Sequence, residues 1–389
     1  MIYFDNNAST MLDPQVLQRM LPFFMDDYAN ASSIHHKMGR KANEALQQAR
    51  QTIADYLHAQ SKEIFFTSGA TETINMVLRG LFDRYRIKGS HIVTCKTEHK
   101  AVLSTCAALE KKGAQVTYLP LDGNGNIDLQ LLEDSIRPDT IVVSLMAVNN
   151  ETGLIHPIEE VARICKKKEV LFFCDATQAI GKMEIDFVAA GVDILCFSAH
   201  KFHGPKGAGV LYVKRKSKPI QLEALLTGGN QEDSLRAGTY NVPAIVGMAE
   251  AIKQLDVKHI QHLKNLQLQF EKRLLNEIED IYIHAATAHR VLNTSNVCFK
   301  HVKGTELMTK IPQLAVAAGS ACVSGDRDPS HVLKAMGVSD ADAFSSLRFS
   351  FSRFNTLTEI DTAVGLLKAA VDDIRRKSPV WLLYKAGML

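Results

Sequence analysis

Ile194-Leu195-Cys196-Phe197 runs directly into Ser198-Ala199-His200-Lys201-Phe202-His203-Gly204-Pro205-Lys206-Gly207. Four apolar residues match the length of a buried strand, and the polar residues after them mark where that strand leaves the core. Apolar runs of the same kind recur at residues 64–66, 91–94, 116–119, 140–147, 170–174 and 209–213, and between most of them lie stretches with helical spacing, at 41–58, 72–85, 101–112 and 158–168. This strand, helix, strand repetition predicts an α/β fold, a large domain whose mostly parallel sheet is flanked by helices on both faces. Beyond about residue 256 the texture changes to a long polar helix (257–278), strand-like runs at 295–300 and 348–352, and a last helix near 360–376. That pattern predicts a smaller α+β domain. The expected division is 14–256 for the large domain, and 1–13 with 257–389 for the small one.

Composition narrows the function classes. Of 389 residues, 46% are hydrophobic and 22% charged, values of a globular chain and not of a disordered one. The formal net charge is only +3 and the basic runs are as short as Lys166-Lys167-Lys168, so nucleic acid is not an expected partner. No window approaches a membrane span and Met1-Ile2-Tyr3-Phe4-Asp5 is not a secretory leader, so a cytoplasmic protein is expected, with no membrane partner. Seven scattered cysteines (Cys95, Cys106, Cys165, Cys174, Cys196, Cys298, Cys322) form no CxxC pair, which argues against a disulfide framework. No metal site is expected.

In an open parallel sheet, ligands sit beyond the carboxyl ends of the strands. Residues 64–66 are followed by Thr67-Ser68-Gly69-Ala70-Thr71-Glu72, which opens a helix; small residues there let an anion reach free backbone N–H groups, although a plain helix cap has the same look. Residues 170–174 are followed by Asp175, with Gln178 three positions on. A carboxylate at a buried strand end needs a partner, for which a protonated ring nitrogen and a helix N-terminus both serve. Lys201 sits directly past a strand, where burial can lower its pKa enough for Schiff-base chemistry, whereas most loop lysines are simply exposed. His99 also follows a strand and precedes a helix, placing an imidazole to stack on a ring or to cap the helix. Together these residues make the inventory that pyridoxal 5'-phosphate requires. No strand is followed by GxGxxG with a downstream acid, so a dinucleotide-dependent dehydrogenase is poorly supported.

The ordered motifs Asp5-Asn6-Asn7-Ala8-Ser9-Thr10, Thr67 to Glu72, Glu98-His99, Val148-Asn149-Asn150-Glu151-Thr152-Gly153, Asp175-Ala176-Thr177-Gln178, Ser198-Ala199-His200-Lys201, Arg236-Ala237-Gly238-Thr239 and Gly319-Ser320-Ala321-Cys322 span nearly the whole chain. In them the sequence resembles the NifS/IscS-type cysteine desulfurases, homodimeric pyridoxal-phosphate enzymes of the class V aminotransferase (type I) fold. The resemblance implies conversion of L-cysteine to L-alanine, with sulfur captured as a persulfide and passed to an acceptor or scaffold protein for iron–sulfur clusters or other sulfur-containing products. By the same resemblance Lys201 would carry the cofactor and act as general base, His99 would stack on its ring, Asp175 would pair with the ring nitrogen and Gln178 would donate to the ring oxygen. Ala70, Thr71, Ser198 and His200 would hold the phosphate, with Thr239 reaching across from a second subunit. Asn150 and Arg348 would contact substrate, and Cys322, on a small polar loop of the small domain, would be the nucleophile.

Two departures accompany the resemblance. Gly228-Gly229-Asn230-Gln231-Glu232-Asp233-Ser234 replaces a run richer in glycine, and Ala29-Asn30-Ala31 stands where Gly-Asn-Pro is usual. Both bear on loop geometry near the expected dimer contact. The rival readings are a selenocysteine lyase and a non-catalytic scaffold that keeps the fold. The chain stops at Leu389, short of the tail with which housekeeping relatives dock their scaffold, so Trp381, Leu382 and Tyr384 are expected to pack on the small domain.

Overall fold

The computed structural model describes residues 1–318 and 328–388. After β1 (Ile2–Tyr3) come β2 (Ile64–Thr67), β3 (His91–Cys95), β4 (Gln115–Leu119), β5 (Thr140–Met146), β6 (Leu171–Asp175), β7 (Ile194–Ser198) and β8 (Gly209–Val213). β2 to β8 form one seven-stranded sheet in the order β2-β8-β7-β6-β5-β3-β4. β3 to β7 pair in parallel, whereas β8 runs against its neighbours β2 and β7. The reversal has a simple cause: only residues 199–208 separate β7 from β8, too few for the crossover that a parallel neighbour needs. Lys201 therefore lies in a tight connection at the carboxyl end of the sheet. The helices Lys37–Tyr56, Ile158–Lys167 and Val242–Lys253 bury one face of the sheet, and Ala70–Tyr85 with Lys100–Glu110 bury the other.

A second sheet is built from β9 (Ile281–Ile283), β10 (Thr294–Phe299), β12 (Ala317–Ala318) and β13 (Ser346–Ser350), in the order β12-β13-β10-β9, while β11 (Leu314–Ala315) pairs in parallel with β1. The long helices Val257–Glu277 and Leu357–Lys377 pack on it through a separate core. That core centres on aromatic side chains, with ring centroids 4.9 Å apart for Phe4 and Phe351 and 4.8 Å for Phe270 and Phe349. The N-terminal segment pairs with β11 through β1, meets β13 where the Ser350 N–H donates to the Phe4 carbonyl at 2.7 Å, and then crosses to the large sheet, where the Thr10 N–H donates to the His200 carbonyl at 2.9 Å.

The terminal helix Pro379–Lys385 docks as expected through two of its three named residues. Trp381 is buried beneath the Arg375 guanidinium, 4.2 Å from the ring centroid, and the Tyr384 hydroxyl donates to Asp280 at 3.1 Å. Leu382 does not pack; it is 58% exposed. Trp381 and Tyr384, three apart, share one helical face, and Leu382 is turned about 100° away from Trp381.

The glycine-poor loop carries backbone strain. Glu232, Asp233 and Ser234 are successive left-handed residues, with φ of 48°, 53° and 66°. Glu232 anchors them: its buried carboxylate takes both arms of the Arg50 guanidinium, at 2.7 and 2.9 Å, and the Phe66 N–H at 3.0 Å, while its own N–H donates to the Tyr240 hydroxyl. A left-handed L-residue costs about 1–2 kcal/mol, and glycine in the unfolded chain takes back about 0.5–1 kcal/mol. Ser234→Gly should therefore stabilise the protein by about 0.5–1 kcal/mol, read as a higher urea midpoint at unchanged slope. A lower midpoint would show that Ser234 is not strained.

Candidate active site

Five strand ends converge on a cavity of about 510 Å³ at the carboxyl edge of the large sheet, and the N-terminal segment and β13 close its far side. Of the residues singled out from the sequence, Ala70, Thr71, His99, Asn150, Asp175, Gln178, Ser198, His200, Lys201 and Arg348 all line it. Thr239 does not; it borders a separate pocket with Thr67, Ser68 and Arg236. Cys322 lies outside the described residues.

At one end of the cavity the helix Ala70–Tyr85 begins with no side-chain cap. The Ala70 N–H donates to Ser198 Oγ at 2.7 Å, and Gly209 lets the strand pass so close that a Cβ there would lie 2.5 Å from Gly69 Cα. An uncapped N-terminus presents N–H groups and the positive end of the helix dipole, which suits a phosphate. His200 contributes a neutral imidazole: burial, reinforced by Lys201, Lys206 and Lys182, pushes its pKa down to about 4.

Asp175, at the end of β6, is buried; its Oδ1 accepts the Thr177 N–H at 2.9 Å and its Oδ2 takes no hydrogen bond among the described residues. A carboxylate with one oxygen unspent is fitted to a protonated ring nitrogen. Opposite, His99 caps the helix Lys100–Glu110 by accepting the Ala101 N–H on Nδ1 at 3.1 Å. That bond assigns the neutral ring's proton to Nε2. Desolvation lowers the His99 pKa, with Asp175 opposing and Lys201 and His331 assisting.

Lys201 donates to the carbonyls of Asn7 at 2.7 Å and Ala8 at 2.8 Å. Burial first, and Arg348 second, push its pKa down to about 8 against the pull of Asp175 and Asp5. Arg348 is held by Asp5 at 2.6 Å and the Asn150 carbonyl at 3.0 Å, while its buried Nε has no partner among the described residues. Arg348 thus brings a guanidinium to the cavity wall, a group suited to a carboxylate. The uncapped helix, the unspent Asp175 oxygen and the low-pKa lysine together fit pyridoxal 5'-phosphate.

Two residues without an assigned role in the sequence reading organise this site. The Asn7 carbonyl accepts from both Lys201 and Gln178 (2.9 Å), and its side chain bridges to Thr294 and Asn293 of the second sheet's strand β10 and the turn before it. Lys182, buried behind Gln178, donates to Gln178 Oε1 and to Asn7 Oδ1. The available signal was a single lysine in the otherwise apolar stretch Ala179-Ile180-Gly181-Lys182-Met183.

The class-V aminotransferase family matches residues 2–363. The cysteine desulfurase IscS of Anaeromyxobacter dehalogenans (strain 2CP-C) is 44% identical over 391 aligned residues, covering all of this chain and 96% of its own, and that of Colwellia psychrerythraea (strain 34H) is equally similar at 44%. Among solved structures, a NifS-like protein superposes with a TM-score of 0.88 at 38% identity, over 95% of this chain and 99% of its own. SspA in complex with cysteine superposes with a TM-score of 0.82 at 35% identity, over 92% of this chain and 100% of its own. With its strand-end lysine, acid and histidine gathered around one cavity, the chain belongs to the class-V aminotransferase family, among the IscS-type cysteine desulfurases.

Proposed function

We propose that this cysteine desulfurase works through Lys201, His99 and Cys322 around pyridoxal 5'-phosphate, with Arg348 and Asn150 holding L-cysteine. The observation that carries the reading is the buried Lys201 amine, its pKa near 8, in one cavity with Asp175, His99 and an uncapped helix N-terminus. Ala70, Thr71, Ser198 and His200 would hold the cofactor's phosphate, Asp175 its ring nitrogen, Gln178 its ring oxygen and Lys201 its covalent attachment. Bound there, the cofactor supplies an electron sink for charge developing at the substrate's α-carbon.

The chain's own groups perform the remaining work. Arg348 orients L-cysteine by its carboxylate, and the Lys201 amine, once displaced by substrate, removes the α-proton. His99 holds a proton on Nε2 within the cavity. The Cys322 thiolate then attacks the substrate sulfur; the Cβ–S bond breaks as an S–S bond forms, and Cβ takes up a proton. L-cysteine plus the Cys322 thiol thus gives L-alanine plus the Cys322 persulfide, and no external oxidant or reductant is consumed. The sulfur then passes to an acceptor or scaffold protein, and the setting is cytoplasmic; among the described residues no helix is long and apolar enough to cross a membrane.

The working unit is a homodimer. Leu21, Phe24, Met25, Tyr28 and Ile34 are exposed along one short stretch, an apolar face larger than isolated surface residues would make. Thr239, placed in a pocket apart from Lys201, is then free to complete the phosphate site of the other copy. Residues 14–256 and the remainder of the chain act as two domains in this scheme.

An absorbance spectrum taken before and after L-cysteine, coupled to alanine detection, tests the assignment; a colourless protein that yields no alanine would refute it. Cys322→Ser should still show the spectral change with L-cysteine but form no protein persulfide, because proton removal requires only Lys201 and the cofactor. Persulfide mapped to another cysteine in an active mutant would refute the role. Arg348→Lys should raise KM by about tenfold or more with a smaller effect on kcat, since an ammonium cannot reproduce a two-pronged contact. Uptake of pyridoxal phosphate by cofactor-free protein requires the neutral Lys201 amine, which is the minority form below its pKa of about 8. The uptake rate should climb about tenfold per pH unit below that value and level off above it; a climb continuing to pH 10 would mean an ordinary lysine.

A further inference from the structure

Lys182 is the most deeply buried cation near the cavity, only 7% exposed, and it forms no ion pair among the described residues. Burying an ammonium without a counter-ion is costly, so what it touches needs a physical account. It touches two side-chain amides, Gln178 through Oε1 and Asn7 through Oδ1 at 3.0 Å.

Those contacts decide which way each amide faces. Gln178 Nε2 donates to the Asn7 carbonyl at 2.9 Å, and that carbonyl can only accept. Lys182 can only donate as an ammonium, and as the neutral amine that burial favours by lowering its pKa it still has an N–H for each of the two oxygens. A half-turn of the Gln178 amide would set oxygen against the Asn7 carbonyl and NH2 against the ammonium, losing both bonds at once. Asn7 is fixed in the same manner: Oδ1 also accepts from Asn293 at 3.1 Å, and Nδ2 donates to Thr294 at 2.8 Å and to the Asn150 carbonyl at 3.2 Å. Gln178 thus faces the cavity with an N–H to spare, and the Asn7 carbonyl that receives it is also the one on which Lys201 rests.

We propose that Lys182 is a positioning residue: by donating to Gln178 Oε1 and Asn7 Oδ1 it holds the Gln178 amide as a hydrogen-bond donor toward the cavity, where it meets the anionic ring oxygen of the cofactor. This rests on the cofactor placement given under Proposed function. Without Lys182 only the Asn7 carbonyl still opposes a half-turn of the Gln178 amide, and a turned amide would set its oxygen against the cofactor's ring oxygen. A less stabilised ring oxygen is more basic and holds the shared proton of the adjoining Lys201 linkage more tightly. The other titratable and charged groups facing this cluster are Lys201, Arg348 with its partner Asp5, Asp175, His200 and His203. They are common to all variants of the test below.

The test is a pH titration of the absorbance of the holoenzyme without substrate, in the wild type, Lys182→Met, Gln178→Leu and the double variant. Lys182→Met should keep cofactor yet raise the apparent pKa of the Lys201 linkage by about one unit, a tenfold change in the protonation equilibrium. Gln178→Leu should move it the same way, and the double variant no further than Gln178→Leu alone, because Lys182 acts through Gln178. An unchanged titration in Lys182→Met, or shifts that add in the double variant, would overturn the proposal. If Lys182→Met does not accumulate as folded protein, the same cycle with Lys182→Gln decides between additive and non-additive shifts. A wild type that shows no cofactor band would overturn the cofactor placement instead, so the two failures are distinguishable.

Discussion

The backbone carbonyl of Asn7 accepts hydrogen bonds from Lys201 and Gln178 at once, and most of the site's geometry follows from holding that one oxygen in place. Asn7 belongs to the N-terminal segment, which has no sheet of its own beyond β1. It is fixed from both sides: Ser350, Thr294 and Asn293 tie it to the second sheet, and Lys182 with Gln178 ties it to the large one. Asn7, Ser350, Thr294, Asn293, Lys182 and Gln178 are all buried residues, so a lost bond among them leaves a partner short of a hydrogen bond, and the cluster acts as a unit. The two sheets are thereby aligned by polar bonds where an apolar contact would allow sliding. That alignment brings Arg348 of β13 to the cavity formed by the ends of β2, β3, β5, β6 and β7.

The electrostatics of the cavity follow from burial acting on charges of both signs. Three cationic side chains, Lys182, Lys201 and Arg348, sit close enough to perturb one another, and burial lowers the pKa of both lysines. On the acid side, Glu98 is fully buried beneath His99, and burial with Asp175 nearby raises its pKa well above the ordinary carboxyl range. Its Oε1 accepts the Met146 N–H at 2.6 Å while Oε2 has no partner among the described residues, which suits a neutral acid group. Asp175 is then the carboxylate left to face a cation in the cavity. The division of labour between two neighbouring acids arises from their surroundings, since the side chains are nearly the same.

How much of this was legible in the sequence depended on whether a residue interrupts a pattern. Asp175, Ser198 and Lys201 stand where an apolar run stops, so period and position together marked them, and the cavity collects all three. The direction of β8 was encoded only in the shortness of residues 199–208, because strand periodicity carries no sign. Lys182 escaped notice because a lysine among apolar residues also describes a side chain that snorkels to the surface; only the fold places it behind Gln178. Asn7 was seen as part of a motif, but its role lies in a backbone carbonyl, which no side-chain inventory displays. The strain at Glu232–Ser234 was signalled by missing glycines, while its anchor, the Arg50 pair, is far away in sequence.

The same logic of burial narrows the choice of nucleophile. Of the seven cysteines, Cys95, Cys106, Cys165, Cys174, Cys196 and Cys298 are all buried. Desolvation pushes the thiol pKa of Cys95 up to about 11 and those of Cys106, Cys165 and Cys298 to about 12. At Cys174 and Cys196, in β6 and β7, burial is joined by the charge of Asp175, and both pKa values rise well above the usual one. A thiol held neutral in this way is a poor nucleophile. Burial thus disfavours the thiolate at each of the six described cysteines. That supports the proposal that the seventh, Cys322, which lies outside the described residues, is the nucleophile.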